Sequence, residues 1–443
     1  MGQVVACPVA GRCGNPKWNM HFLPGIDVLL TRHRHWLEGK RIGLVSHLAA
    51  VDARGMTSAE RLWRDRAPAR GRAPARGRAP ARGRALTLRA LFGPEHGFFG
   101  LGDAGQKLWR RRHPDWGLPV YSLYGSARRP TPAMFKNLDV LVVDLQDLGA
   151  RCYTYVATLR YVLEQAAAMG KEVVVADRPI PLPRIVDGPM LAPAFESFVA
   201  CVRAPLHYGM TPGEMALWLK ADLGLDVSLR IARMQGYARA AARGADWPPW
   251  IPPSPGIRAW ETGQCYLATV FGEALSAFNN GRSSNLAFQV FAAPWLKSAP
   301  VCERLNARRL PGVSFYAHPY SPGRSATAKP GKTTTADLPG RSTPAKPGTV
   351  FDGVRLAVTN PNIFHPVYTG VSILACLQEL YGRRKVWKHA GTREDFFDKL
   401  YGTDAVRRAL QAGAAPEQIR RTWIKSQRAF APSRAAGLLY PPG

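Results

Sequence analysis

Acidic residues are scarce in this chain of 443 residues: 31 Asp and Glu stand against 60 Lys and Arg, a formal net charge of +29. Such an excess ordinarily points to a nucleic acid or another anionic partner. Much of it is local. Residues 66–84 hold seven arginines and no acid, and residues 323–348 hold five basic residues against Asp337, so the two stretches carry 11 of the 29. That basicity belongs to insertions, and no nucleic-acid partner is expected. No run of 18 apolar residues exists, so no membrane-spanning helix is expected. The seven cysteines (Cys7, Cys13, Cys152, Cys201, Cys265, Cys302, Cys376) form no C-x-x-C pair and no zinc spacing. They read as reduced, mostly buried thiols, with a Cys7–Cys13 disulfide open if the protein is exported. G-x-G-x-x-G follows none of the expected strands, which argues against a nicotinamide or flavin. A P-loop and a G-x-S-x-G elbow are also missing. A metal hydrolase built on His96, Asp144, Asp177 and His207 would lack the H-x-x-x-H spacing, so neither metal nor cofactor is expected.

What is present is a globular composition, with 46% hydrophobic residues, and a repeated alternation of strand and helix signals. Arg41–His47, Leu86–Phe92, Val120–Tyr124, Asp139–Asp144 and Glu172–Ala176 read as strands, and Val140–Asp144 has the unbroken apolar texture of a strand buried on both faces. Helices are expected from Ser58 to Arg64, from Thr131, and from about Tyr153 to Met169. Thr211-Pro-Gly-Glu214 is a capping box, which makes Glu214 structural. The alternation predicts an α/β fold: a Rossmann-like doubly wound parallel sheet with a second, smaller α+β domain. Residues 1–19 read as a disordered extension, 20–225 as the catalytic domain and 226–443 as the second domain completing a cleft. Within them, 66–84 repeats Arg-Ala-Pro-Ala-Arg-Gly and 323–348 is of low complexity; proline in each hexad forbids a helix and nothing there builds a core. Val4-Val5-Ala6-Cys7 looks like a lipoprotein cleavage box, yet the charged and apolar regions of a signal peptide do not precede it. As it stands the sequence reads as cytoplasmic; a start further upstream would make it periplasmic or secreted.

Ligands of such sheets bind beyond the carboxyl ends of the strands. Three expected strands end in polar clusters there: Glu95-His96, Asp144 with Gln146 and Asp147, and Asp177-Arg178. Together they suggest one site. In Phe92-Gly-Pro-Glu-His-Gly97 a carboxylate and an imidazole lie between glycines and before two aromatics, a setting that can raise a glutamate pKa toward that of a general acid. The two indoles of Trp247-Pro-Pro-Trp250 suit a sugar face or a domain interface equally. The inventory fits hydrolysis of a polar substrate, with Glu95, His96 and Asp147 as candidate catalytic residues. Gln146, Asp144, Arg151, Tyr155, Asp177, Arg178, His207 and Arg282 are the candidate binding residues.

Long stretches carry a resemblance. Phe92-Gly-Pro-Glu-His-Gly97, Leu118-Pro-Val-Tyr-Ser-Leu-Tyr-Gly125, Arg129-Pro-Thr-Pro132, Asp144-Leu-Gln-Asp-Leu-Gly-Ala-Arg-Cys-Tyr-Thr-Tyr155, Asp177-Arg-Pro179 and Pro294-Trp295 follow one another in the order found in the NamZ-type exo-β-N-acetylmuramidases. The chain resembles that family from about Gly25 to Tyr440, the two insertions excluded. The resemblance implies a Rossmann-like domain, a smaller C-terminal domain and a cleft between them. It also implies cofactor-free release of N-acetylmuramic acid from non-reducing ends of peptidoglycan fragments, which would be the substrate partner. Onto this chain it carries Glu95 as catalytic acid, with His96, Gln146, Asp147, Arg151 and Tyr155 around it. There are departures. Ser46-His47-Leu48-Ala49 replaces Asn-His-Thr-Gly, Ile180 replaces an asparagine after Asp177-Arg-Pro179, and Gly272-Glu273-Ala274-Leu275 stands where a Glu-Gly-Thr-Asn-like stretch is usual.

An enzyme selective for N-acetylmuramic acid over N-acetylglucosamine has to read the lactyl carboxylate, and an arginine fork suits that. Arg151 is the first choice on position, with Arg178 and Arg282 as the others. A different class of function stays open: a basic, non-catalytic wall- or polynucleotide-binding protein that works through its arginine repeats. Oligomeric state is not legible.

Overall fold

The computed structural model describes residues 22–65, 85–100, 112–125, 127–240, 243–282, 284–321 and 350–442. The extension 1–19, the arginine repeats 66–84, residues 323–348, and Cys7 and Cys13 lie outside the described residues. Strands β1 (Arg41–Ser46), β2 (Thr87–Gly93), β3 (Val120–Ser122), β4 (Val140–Asp144) and β5 (Glu172–Ala176) are followed by the hairpin β6 (Asp187–Met190) and β7 (Pro205–His207), and then by β8 (Leu229–Ala232). All but the hairpin form one parallel sheet in the order β3-β2-β1-β4-β5-β8, the doubly wound order with its switch point between β1 and β4.

Strand alternation sorts the core into two layers. Leu141, Val143, Val173 and Val175 face one side, where helix Tyr155–Ala168 packs; Val140, Val142 and Val174 face the other, against helices Gly25–Arg32 and Ser58–Arg64. The β-branched runs that marked β4 and β5 as central strands are buried on both sides. The expected division at 225/226 needs correction, because β8 lies beyond it. Backbone pairing of Val173–Ala176 with Leu229–Ala232 makes that segment the sixth strand of the first sheet.

The second unit holds a three-stranded antiparallel sheet of β9 (Val290–Phe291), β10 (Val313–Tyr320) and β11 (Phe351–Val358). The buried helix Pro366–Tyr381 packs on helices Trp260–Thr269 and Ser298–Ala307. The two units share one apolar core: Val143, Leu159 and Leu163 belong to the same cluster as Phe271, Val371 and Trp387. Helix Pro416–Gly437 then returns to the first unit. Beyond it Leu439 N–H donates to Glu214 (2.9 Å), and the Tyr440 hydroxyl donates to Asp177 (2.6 Å). Trp247 stacks on Phe22 at 4.5 Å and Trp250 donates to the Ile257 carbonyl, so both indoles serve the packing of the Pro-rich stretch. Among the described residues no helix is long and apolar enough to cross a membrane.

Candidate active site

The turn after β2 is built so that it has to be tight. A Cβ on Gly93 would sit 2.2 Å from the Phe98 nitrogen, and Gly97 N–H closes the turn on the Pro94 carbonyl at 2.9 Å. His96 takes a φ of +70°, in the left-handed region that non-glycine residues enter at a cost and that collects at functional sites. The turn presents Glu95 and His96, both half-buried, to a cavity of about 470 Å³. That size suits a sugar-sized ligand.

The cavity lies where the two units meet. The first unit supplies Glu95, His96, Tyr124, Arg128 and the run Cys152–Tyr155; the second supplies Tyr266, Glu273, Arg282 and Arg393. Thr154 Oγ1 donates to Glu95 Oε2 at 2.6 Å, and the Tyr155 hydroxyl reaches the Glu95 carbonyl at 3.5 Å. Burial first, and the Glu95 carboxylate second, push the Tyr124 phenol upward, so it stays protonated as a donor. Among the lining residues of the second unit, Glu273 accepts from Arg282 (2.5 Å) and from Asn280 (3.2 Å). Cys152 also lines the cavity, but burial pushes its thiol up to about 12, which removes it as a nucleophile.

The three strand-end clusters do not converge on one site. Asp144 is fully buried and binds the Arg178 guanidinium, with Nη2 to Oδ2 at 3.0 Å, as well as the Ser58 hydroxyl; Arg178 also donates to the Val51 carbonyl at 2.8 Å. Asp177 accepts from Thr211 Oγ1 (2.7 Å), Gly213 N–H (2.7 Å), Arg178 N–H and Tyr440. Gln146 donates to the Pro179 carbonyl at 2.7 Å, and its own N–H bonds His47 Nε2 at 3.0 Å. Burial drives the His47 imidazole down to about 3, with Arg178 adding to the effect, so this ring is a neutral acceptor. His207 lies under the Ile185 carbonyl (2.9 Å), and burial lowers it to about 4. Asp147 accepts from Gly149 N–H (2.7 Å) and from Tyr208 (3.1 Å), and burial raises it to about 6. Its charge is felt, with that of Glu95, by the buried Tyr153 and Tyr155.

Arg151 is placed differently from its expected role. It is fully buried, and its two terminal nitrogens are spent on the carbonyls of Pro189 (3.1 Å), Ala204 (2.6 Å) and Tyr401 (2.5 Å). It therefore ties the β6–β7 hairpin to the second unit and does not line the cavity. Of the expected residues, Glu95, His96, Tyr155 and Arg282 line it; Asp144, Gln146, Asp147, Arg151, Asp177, Arg178 and His207 do not. Sequence reading passed over Tyr124 and Thr154, although both stand inside motif runs quoted above. It also passed over Arg128, Tyr266 and Arg393, for which no local signal exists.

Among the described residues no group of three or more His, Cys, Asp or Glu side chains is arranged to hold a metal ion. The arrangement offers a positioned carboxylate, a second carboxylate lining the same cavity and aromatic walls, the equipment for acid–base cleavage of a glycosidic bond.

Comparison with known proteins agrees. The N-terminal domain of exo-β-N-acetylmuramidase NamZ matches residues 42–261 and its C-terminal domain residues 264–440. The peptidoglycan β-N-acetylmuramidase NamZ of Bacillus subtilis (strain 168) is 33% identical over 417 residues, covering 94% of this chain and 91% of that protein. A solved DUF1343 family protein from Bacteroides fragilis NCTC 9343 superimposes with a TM-score of 0.79 at 29% identity, covering 95% of this chain and 100% of its own. A second from the same organism, at 22% identity, shares the fold with a TM-score of 0.68 over 95% of this chain and 99% of its own. With both domains matched in order along one shared core, the chain belongs to the NamZ exo-β-N-acetylmuramidase family.

Proposed function

We propose that this chain is an exo-acting β-N-acetylmuramidase that releases N-acetylmuramic acid from the non-reducing ends of peptidoglycan fragments, with Glu95 as its general acid/base. The observation that carries the reading is Glu95 itself, on a tight turn at the end of β2, fixed by Thr154 at 2.6 Å and facing the cavity. Glu95 gives its proton to the glycosidic oxygen as the bond to the anomeric carbon breaks. Glu273, salt-bridged to Arg282, is the second carboxylate on the cavity wall; it either bonds to the anomeric carbon, an intermediate that water then hydrolyses while Glu95 takes back a proton, or deprotonates the water that attacks that carbon. Tyr124 and Thr154 orient the acid. Asp147 supports the wall from behind through Tyr208 and Gly149. His207, Asp144, Arg178 and Asp177 hold the strand ends in place.

The test is incubation with a chromogenic N-acetylmuramide beside the matching N-acetylglucosaminide. Release from the muramide, with much weaker release from the glucosaminide, is expected. No release from the muramide would sink the reading. The anomer first formed, read by NMR, then assigns Glu273 as nucleophile or as base.

A further inference from the structure

Selectivity for a muramide needs a group that gains from the lactyl carboxylate and is left unpaired when it is missing. Three arginines stood out in the sequence, and each is engaged. Arg151 serves three carbonyls, Arg178 is paired with Asp144, and Arg282 is paired with Glu273. Two further arginines line the cavity. Arg128 is exposed, its guanidinium lying 4.6 Å above the Phe198 ring.

Arg393 is different. It is half-buried, and its guanidinium stands 4.3 Å over the Phe396 ring, which fixes the plane of the fork. Its Nη2 is shielded from solvent and has no hydrogen-bond partner among the described residues. The fork as a whole is uncommitted among the described residues, unlike those of Arg151, Arg178 and Arg282, whose terminal nitrogens are held by carbonyls or carboxylates. The neighbouring acids have other cations: Glu394 binds Arg407 and Lys388, and Asp395 binds Lys399. The backbone is fixed as well, because Arg393 N–H donates to the Ala274 carbonyl at 2.9 Å. That bond ties Arg393 to the residue after Glu273, so the fork and the second carboxylate move as one wall.

We infer that Arg393 is the residue that reads the lactyl carboxylate of N-acetylmuramic acid, offering from the cavity wall a guanidinium that no acceptor among the described residues has taken. This rests on the muramidase reading above and adds the specificity residue to it. A free carboxylate completes the guanidinium; an amide in its place, or the bare hydroxyl of N-acetylglucosamine, does not.

The experiment compares kcat/KM on three chromogenic substrates: the muramide as free acid, the muramide with its lactyl carboxyl converted to the methylamide, and the glucosaminide. The proteins are the wild type, Arg393→Ala, Arg393→Lys and Arg128→Ala, each checked by thermal melting. Arg393→Ala is expected to lose on the order of a hundredfold on the free acid and little on the other two, so that the acid-to-amide preference collapses. Arg393→Lys keeps the charge without the fork and recovers part of the preference. A merely structural role would lower all three rates together. An unchanged acid-to-amide ratio in Arg393→Ala, or a collapse seen in Arg128→Ala instead, overturns the assignment while leaving the muramidase reading intact. A wild type that cleaves no muramide overturns both.

Discussion

Two clusters of carboxylates and cations stand at the carboxyl edge of the same sheet, and they differ in what completes them. Beyond β4 and β5, Asp144, Arg178 and Asp177 are saturated by one another, by Ser58, Thr211 and Tyr440, and by backbone groups. Beyond β2, Glu95 lines an open cavity together with Glu273. The residue types are alike. The dry cluster holds the chain together and the open one is arranged to receive a ligand. Charge at a strand end thus marks a site only when the protein itself leaves room beside it.

The comparison can be broken by substitution. The largest effect is expected from Glu95→Gln, which keeps shape and folding but removes the proton. Turnover on the chromogenic muramide should fall by about a hundred- to ten-thousand-fold, with an unchanged melting curve. Near-wild-type turnover would move the catalytic acid elsewhere. Asp144→Ala should do the reverse. It strands the Arg178 guanidinium in the interior and is expected to cost about 3–5 kcal/mol in urea unfolding. A stability loss too small to measure would mean that the cluster is not the brace described.

A subtler difference lies in pH. Burial, and then the neighbouring Glu214, raise the Asp177 carboxyl to about 7 from an ordinary 3.8. A carboxyl raised on folding holds its proton more tightly in the folded state. Its contribution is complete below the ordinary value and is lost as pH rises through about 7. Asp147, raised to about 6, acts with the same sign. The melting temperature of the wild type should therefore fall from about pH 5 to about pH 8 more steeply than that of Asp177→Asn. Equal slopes would show that Asp177 does not titrate in this window.

The smallest effect concerns the arginine repeats. Leu86 N–H donates to the Asp65 carbonyl at 3.4 Å, so the two ends of the segment already lie side by side. Deleting residues 66–84 should move the melting temperature by no more than a few degrees, since closing a shorter loop costs little. Retained sugar release in that variant favours the enzyme reading. A salt-dependent affinity for polyanions that disappears with the segment would favour the binding-protein reading instead.

Much of the fold was legible because it is written in local pattern. The Val-rich runs of β4 and β5 are apolar on both faces, as central parallel strands must be, and Thr211-Pro-Gly-Glu214 reads as the capping box it forms. The turn at Glu95 was visible for the same reason: Gly93 and Gly97 are demanded by backbone geometry within a few residues. The membership of β8 in the first sheet is a pairing with β5 across more than fifty residues, which no local pattern encodes.

What the sequence by itself determined is therefore the list of chemical groups and the strands that deliver them: Glu95, His96, Asp147 and their neighbours at the ends of a doubly wound sheet. Only the tertiary structure decided which of those groups are spent. Arg151 follows a polar strand end and looks available, yet the hairpin Asp187–His207 and Tyr401 fold over it and take both its terminal nitrogens. Arg393 has no motif around it, yet packing against Phe396 and the Ala274 carbonyl sets it on the cavity wall. The reason is physical. A donor is satisfied or left waiting according to acceptors that reach it from far along the chain, and that balance exists only once the two units have closed on their common core.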